Sequence, residues 1–236
     1  MTQETSEAIK AVLVGLILLA ALLGFASNVS SEDLEVGREV LGDKVLIVYL
    51  SRTQNTKAVA DIIQEAVGGD SVALELETPY PEDYDAIVAQ VDEENETGYL
   101  PPLKTEIENI DGYDTVFVGF PTWDMQMPPP MKSFLHENNL SGKRVIPFNT
   151  HGGYGVGSGF ETVEMLCSES TILEGFSVKG GLERDGIYLS IEGERKDEVR
   201  SKVHDWLERI ENTPSITGYV FSDFLLQGRH DSFHLL

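Results

Sequence analysis

The sequence predicts an α/β protein in which a five-stranded parallel sheet carries helices on both faces, a three-layer sandwich. Three observations lead there. Short apolar runs such as "KVLIVYLS" and "DTVFVGFPTW" have the continuous hydrophobicity of strands buried on both sides. Between them lie stretches whose apolar residues recur at helical spacing. The strand-to-helix junctions are rich in hydroxyl, amide and glycine residues, at the strand ends where such sheets hold ligands.

Taken in order, residues 1–10 are a polar start and residues 11–29 an apolar segment. From Ala11 to Ser31 the chain carries no charge, and the apolar part approaches the roughly 20 residues that cross a bilayer as a helix. A transmembrane anchor or signal-anchor is the foremost reading. A cleaved signal peptide with a small-residue site near Ala26, or a buried core helix, competes with it. Lys10 precedes the run and no basic residue follows until Arg38, which points the N-terminus to the cytoplasm and the main domain outside. Residues 30–43 read as an acidic linker.

The main domain is placed at residues 44–212. Its first strand, "KVLIVYLS", leads into "KAVADIIQEAVGG", a helix with Val59, Ile62, Ile63, Ala66 and Val67 on one face and glycines at its end. "SVALELE" is a second strand, followed by an acidic, tyrosine-containing segment from Pro79 to Pro102. "DTVFVGFPTW" is the third strand and "PPPMKSFLHENN" a helix opening on prolines. "KRVIPFNTHGG" is the fourth and runs through glycines into "FETVEMLCSES". "TILEGFSVKGG" is the fifth, and "ERKDEVRSKVHDWLERI" closes the body with Val199, Val203, Trp206, Leu207 and Ile210 on one face. Residues 213–236 form a C-terminal extension set off by Pro214. Its Val220, Phe221, Phe224 and Leu225 fit packing on the domain or, alternatively, docking to a partner or a membrane surface.

Forty acidic residues against 17 basic ones give a formal net charge of -23. That excludes nucleic acid as a partner, because too few cations are present to neutralise a phosphate backbone. The acids are spread along the chain, as on a solvated surface, although they could also steer a basic protein. The single cysteine, Cys167, excludes an intramolecular disulfide and a cysteine-held metal cluster, and its helix-like setting makes it a small core residue.

The first strand ends in Ser51, Thr53, Asn55 and Thr56 at the start of a helix. Free backbone N–H groups and the helix dipole favour an anion there, and short hydroxyl side chains add donors without a counter-charge. The plain alternative, an N-cap at Asn55 or Thr56, accounts for one residue of the run. Neither common glycine phosphate loop is present: "GxxxxGK[ST]" is absent, and "GGYGVGSGF" fails "GxGxxG" at its last position. A nucleoside triphosphatase is thereby disfavoured. In "GFPTWDMQMP" the third strand releases Trp123 into a loop, where a flat conjugated ring is a natural cover, unless the core takes it. In "PFNTHGGYG" Thr150, Gly152 and Gly153 let backbone approach a ligand, and Tyr154 offers a second aromatic face.

With "YLSRTQNT", "GFPTW" and "PFNTHGGYG" in this order at the ends of strands one, three and four, the segment from Lys44 to Glu211 resembles the flavodoxin-like flavoproteins. The resemblance implies a sheet of order 2-1-3-4-5 and an FMN cofactor. It implies that Ser51, Arg52, Thr53, Gln54, Asn55 and Thr56 hold the phosphate. Pro121, Thr122, Trp123 and Asp124 would form one ring loop, and Thr150, His151, Gly152, Gly153 and Tyr154 the other. One position departs from the family: Gln54 stands where glycine is usual before Asn-Thr. If it must take positive φ, its side chain costs on the order of 1–2 kcal/mol; if not, the change is harmless.

The expected function is electron transfer by an FMN-binding protein tethered through residues 11–29, with an unidentified redox partner and no assigned catalytic residue. Asp124 and the acidic background would oppose adding electrons to the ring. An FMN-dependent reductase of quinones or small molecules, fed by a nicotinamide and with Tyr154 and His151 on its pocket wall, is the first alternative. There His151 could deliver a proton, or it could be an ordinary loop histidine. A binding module that has lost FMN is the second, with Gln54 as its support.

Overall fold

The computed structural model describes residues 41–212. The sheet is built from β1 (Val45–Tyr49), β2 (Asp70–Ala73), β3 (Thr115–Pro121), β4 (Arg144–His151), β5 (Thr171–Ile172) and β6 (Phe176–Lys179). All pairings are parallel and the order is β2-β1-β3-β4-β5, with β6 also on β4. The helices are α1 (Asn55–Val67), α2 (Tyr84–Thr97), α3 (Pro129–Glu137), α4 (Gly159–Leu166) and α5 (Gly193–Glu211).

Side chains alternate across the pleat, so each central strand feeds two cores. Val45, Ile47 and Tyr49 of β1 pack with Phe117, Ile146 and Phe148 under α1 and α5, whereas Leu46 and Val48 join Val116, Val118, Phe120 and Val145 under α3 and α4. This two-sided burial is what the unbroken apolar runs required. The predicted face of α5 is buried throughout. On α1, Val59, Ile62 and Ile63 are buried but Ala66 is exposed. Cys167 lies in the second core, and burial pushes its thiol up to about 11.

Three elements differ from the sequence expectation. The fifth strand is broken: β5 pairs Thr171 with Arg144, but β6 pairs Phe176 with Phe148, so one extra residue is inserted and the strand bulges. The bulge is held by α5, whose Trp206 Nε1 donates to the Glu174 carbonyl at 2.8 Å while its ring stacks on Phe176. The second strand stops at Ala73, with only an isolated bridge from Leu76 to Leu103 beyond it. The acidic segment contains α2, capped by the Asp83 carboxylate accepting from the Ala86 N–H at 2.9 Å and ended by Gly98 in the left-handed conformation.

Among the described residues no helix is long and apolar enough to cross a membrane. The apolar segment 11–29 and the C-terminal extension 213–236 lie outside them. Of the linker, Leu41 is buried in the α1/α5 core, and its carbonyl accepts from the Thr115 hydroxyl.

Candidate functional site

The strand-end loops meet at the carboxyl end of the sheet around an open cleft. Its floor is the α1 N-terminus. Gln54 there is left-handed (φ 66°), so the sequence condition is met and its side chain carries the strain. Gln54 makes no capping bond; Ser51 caps instead, its Oγ accepting from the Lys57 N–H at 3.1 Å. The first turn holds no acidic residue. Lys57 is drawn away to Asp61 at 2.7 Å.

Asn55 is a bracket. Its Nδ2 donates to Thr53 Oγ1 at 2.9 Å and the Tyr188 carbonyl at 2.6 Å, while its Oδ1 accepts from the N–H groups of Ser190 and Ile191 at 2.9 and 3.2 Å. Gly180 makes this closeness possible, since a Cβ there would lie 2.9 Å from Asn55 Cβ. Beneath, the buried hydroxyls of Thr56 and Thr150 share a bond of 2.8 Å. Arg52 reaches across the mouth, its Nε 2.9 Å from Glu183 and its terminal nitrogens donating to the carbonyls of Pro81 and Glu82.

The third-strand loop is a tight hairpin, with Trp123 and Gln126 exchanging backbone bonds of 3.2 and 3.0 Å. Its central residues, Asp124 (φ 47°) and Met125 (φ 54°), are both left-handed. Apart from Asn109, these two and Gln54 are the non-glycine residues with positive φ among those described, so backbone strain concentrates at the cleft. The hairpin is pinned by the Ser158 N–H donating to the Met125 carbonyl at 3.0 Å. Gly157 must be glycine, because its φ is +59° and a Cβ would fall 1.8 Å from that carbonyl oxygen. Thr122 joins the hairpin to the fourth-strand loop by donating to the Gly155 carbonyl at 2.9 Å. Buried Asn149 donates to the Phe120 carbonyl at 2.9 Å and accepts from Ser177 at 3.1 Å, bracing the strand ends from below.

Of the predicted residues, Arg52, Thr53, Asn55, Thr56, Pro121, Thr122, Trp123, Thr150, His151 and Gly152 line the cleft. Ser51 and Gln54 shape the loop from outside it, and Gly153 and Tyr154 stand beyond the wall. Tyr154 is 64% exposed, and its hydroxyl accepts from Arg184 at 3.3 Å. Asp124 faces a neighbouring groove. The sequence reading missed Tyr84 and the fifth-strand loop, where Gly180, Gly181, Leu182, Glu183 and Arg184 complete the wall. The glycine pair in "VKGGLERDG" was the available signal, the same kind that marked Gly152 and Gly153.

The electrostatics separate an anion-tolerant floor from a guarded rim. Thr53 Oγ1 already accepts from Asn55, so its hydroxyl proton is free for a ligand oxygen. His151 Nδ1 accepts from the Gly153 N–H at 3.0 Å, which places the imidazole proton on Nε2. Burial, and then the charge of Lys179, hold its pKa below the ordinary value, so it is neutral at pH 7. Trp123 meets Tyr80 edge-to-face at 5.5 Å. Burial and a hydrogen bond to Glu94 keep the Tyr80 hydroxyl protonated. Lys132 donates to Gln126 and Asn95, both at 3.0 Å, and Gln126 donates to Asp124 at 3.0 Å, so an ammonium offsets the hairpin carboxylate.

The sequence matches none of the curated proteins with which it was compared. Among solved structures it is similar to a protein assigned as a flavoprotein from Bacteroides eggerthii, at 26% identity and TM-score 0.58, covering 72% of this chain and 99% of that one. A second, assigned likewise, from Bacteroides uniformis shares 23% identity (TM-score 0.57, 69% and 99% covered). A flavoprotein in complex with FMN from Lactobacillus acidophilus shares 18% (TM-score 0.53, 58% and 93% covered) and attests the fold. The family model described as Flavodoxin matches residues 44–192, more than half the chain. Sheet order, strand-end loops and this match agree, and the chain belongs to the flavodoxin family.

Proposed function

We propose that the chain binds FMN in this cleft and acts in electron transfer. The α1 N-terminus carries the reading: in a chain with 40 acidic residues its first turn holds none, and the loop around it keeps hydroxyl and backbone donors for a phosphate. The residues present fit that group. Thr53 and the backbone of residues 53–56 would hold the phosphate, with Thr56 and Thr150 behind them. Arg52 closes the mouth through Glu183 and supplies no free charge to the floor. Trp123 and His151 would wall the ring. FMN, when bound, supplies one-electron and hydride chemistry. The protein's part is to orient it, exclude water and place the neutral His151 Nε2–H beside it. Full-length protein stripped of flavin should take up one FMN per chain with quenched flavin fluorescence; unchanged fluorescence at saturating protein overturns the reading.

The tether is part of the proposal, with residues 11–29 as the anchor and the domain outside the cytoplasm. Arg195, early in α5, donates to the Lys179 carbonyl at the cleft end, and Trp206, late in α5, donates to Glu174 further down. Helix α5 therefore descends away from the cleft, and Leu41 also enters below β1. Both described ends leave opposite the cleft, an arrangement that supports a tether because the site stays open to a partner. Protease shaving of intact cells should remove the domain; full protection overturns the orientation. A reductase activity is favoured by one observation, the groove beside Trp123.

A further inference from the structure

A second, open groove lies beside the first cleft and shares Arg52, Tyr84, Thr122, Trp123 and Glu183 with it. The Arg52–Glu183 ion pair and the Trp123 ring form the partition. The far wall is α2, which presents Tyr84, Ile87, Val88 and Val91 at positions i, i+3, i+4 and i+7, one apolar stripe of the helix. A helix in so acidic a chain would ordinarily turn such a stripe wholly into the core. Here Tyr84 and Val88 stay 36% and 38% exposed.

The charged residues lining this groove are net negative, three carboxylates against one guanidinium, and Lys132, outside the lining, reaches Asp124 only through Gln126. Asp92 and Asp124 stand on its rim, while the one cation on its wall, Arg52, is committed to Glu183 and two backbone carbonyls. No lining group is left to pair with an anion, so a dinucleotide with its pyrophosphate is disfavoured here. The apolar stripe and the Trp123 face suit a flat ring compound.

We propose that this groove is a distinct ligand site for a small, flat ring compound that is uncharged or cationic, held between Trp123 and the α2 stripe. That such a ligand exchanges electrons with the first cleft rests on the FMN reading; that it binds does not.

The test is calorimetric titration of the full-length protein, flavin-free and FMN-loaded, with menadione as the neutral probe and 1,4-naphthoquinone-2-sulfonate as its anionic counterpart. Menadione should bind both forms, and the sulfonate at least tenfold more weakly. Val88→Glu should weaken menadione tenfold or more, with the thermal melt confirming that the exposed substitution leaves the fold intact. Asp92→Asn, a milder change, should narrow the gap between the two probes. Absence of menadione binding, equal affinity for the sulfonate, or indifference to Val88→Glu overturns the proposal. Loss of menadione binding on loading FMN also overturns it, since the groove would then be part of the first ligand's seat. Menadione binding by protein that takes up no FMN would leave the groove standing and remove the FMN reading.

Discussion

The first-strand loop and the third-strand hairpin face the same cleft and are held in opposite ways. The first is tied by side chains: buried Asn55 brackets residues 188–191, buried Thr56 bonds Thr150, and half-buried Arg52 spans to Glu183. The hairpin is tied mainly by backbone bonds, between Trp123 and Gln126 and from Ser158 to Met125, with Asp124 and Met125 strained at its tip. Side-chain brackets are specific and resist displacement, because breaking one strands buried polar groups. A backbone-pinned hairpin depends on a few close approaches, so a single added Cβ should disturb it.

The first-strand loop is most vulnerable at Asn55. Asn55→Ala leaves the Ser190 and Ile191 N–H groups without their acceptor and should cost about 3 kcal/mol. Urea denaturation measures this, and a loss below about 1 kcal/mol would mean that the bracket is not what fixes the loop. The matching change in the hairpin, Gly157→Ala, drives a Cβ into the Met125 carbonyl and should cost about 2 kcal/mol. It should also shift Trp123 emission, which Asn55→Ala should leave largely unmoved.

Smaller effects have the opposite sign. Gln54→Gly and Met125→Gly each relieve a left-handed side chain, and against the added freedom of the unfolded chain each should gain about 0.5 kcal/mol. Thermal melts would show a rise for both; a fall for Gln54→Gly would show that its side chain serves the loop. The smallest effect is pH dependence at His151. Its folded pKa is depressed by burial and Lys179, so below about 6.5 the unfolded chain binds more protons than the native one. The contribution is complete above that value and is lost as pH falls from it through the lower folded pKa. His151→Gln should flatten the decline in stability between pH 7 and 5, and an unchanged profile would assign the decline to other groups.

The parts of the fold that were legible are those where burial is two-sided. Strands β1, β3 and β4 are apolar without interruption because both faces meet a core, and α5 shows one apolar face because one face is buried. Helix α2 was only weakly legible: Tyr84, Ile87, Val88 and Val91 recur at helical spacing, but the stripe spans just two turns within an acidic segment. Its cap residues, Asp83 and Gly98, were the better signal. The site divides similarly. Thr53, Asn55, Trp123 and His151 announced themselves by lying at strand ends. Tyr84 and Glu183 did not, because they reach the cleft from elements whose placement depends on the whole sheet.

The sequence by itself determined the central strands, the three marked loops and the anion-ready helix start, because apolar runs and capping chemistry are local. Only the tertiary structure decided the conformation of Gln54, the bracket role of Asn55, the commitment of Arg52 to Glu183 and the second groove. Each of these depends on a contact between residues distant in the chain, and no local pattern carries information about which distant group will arrive.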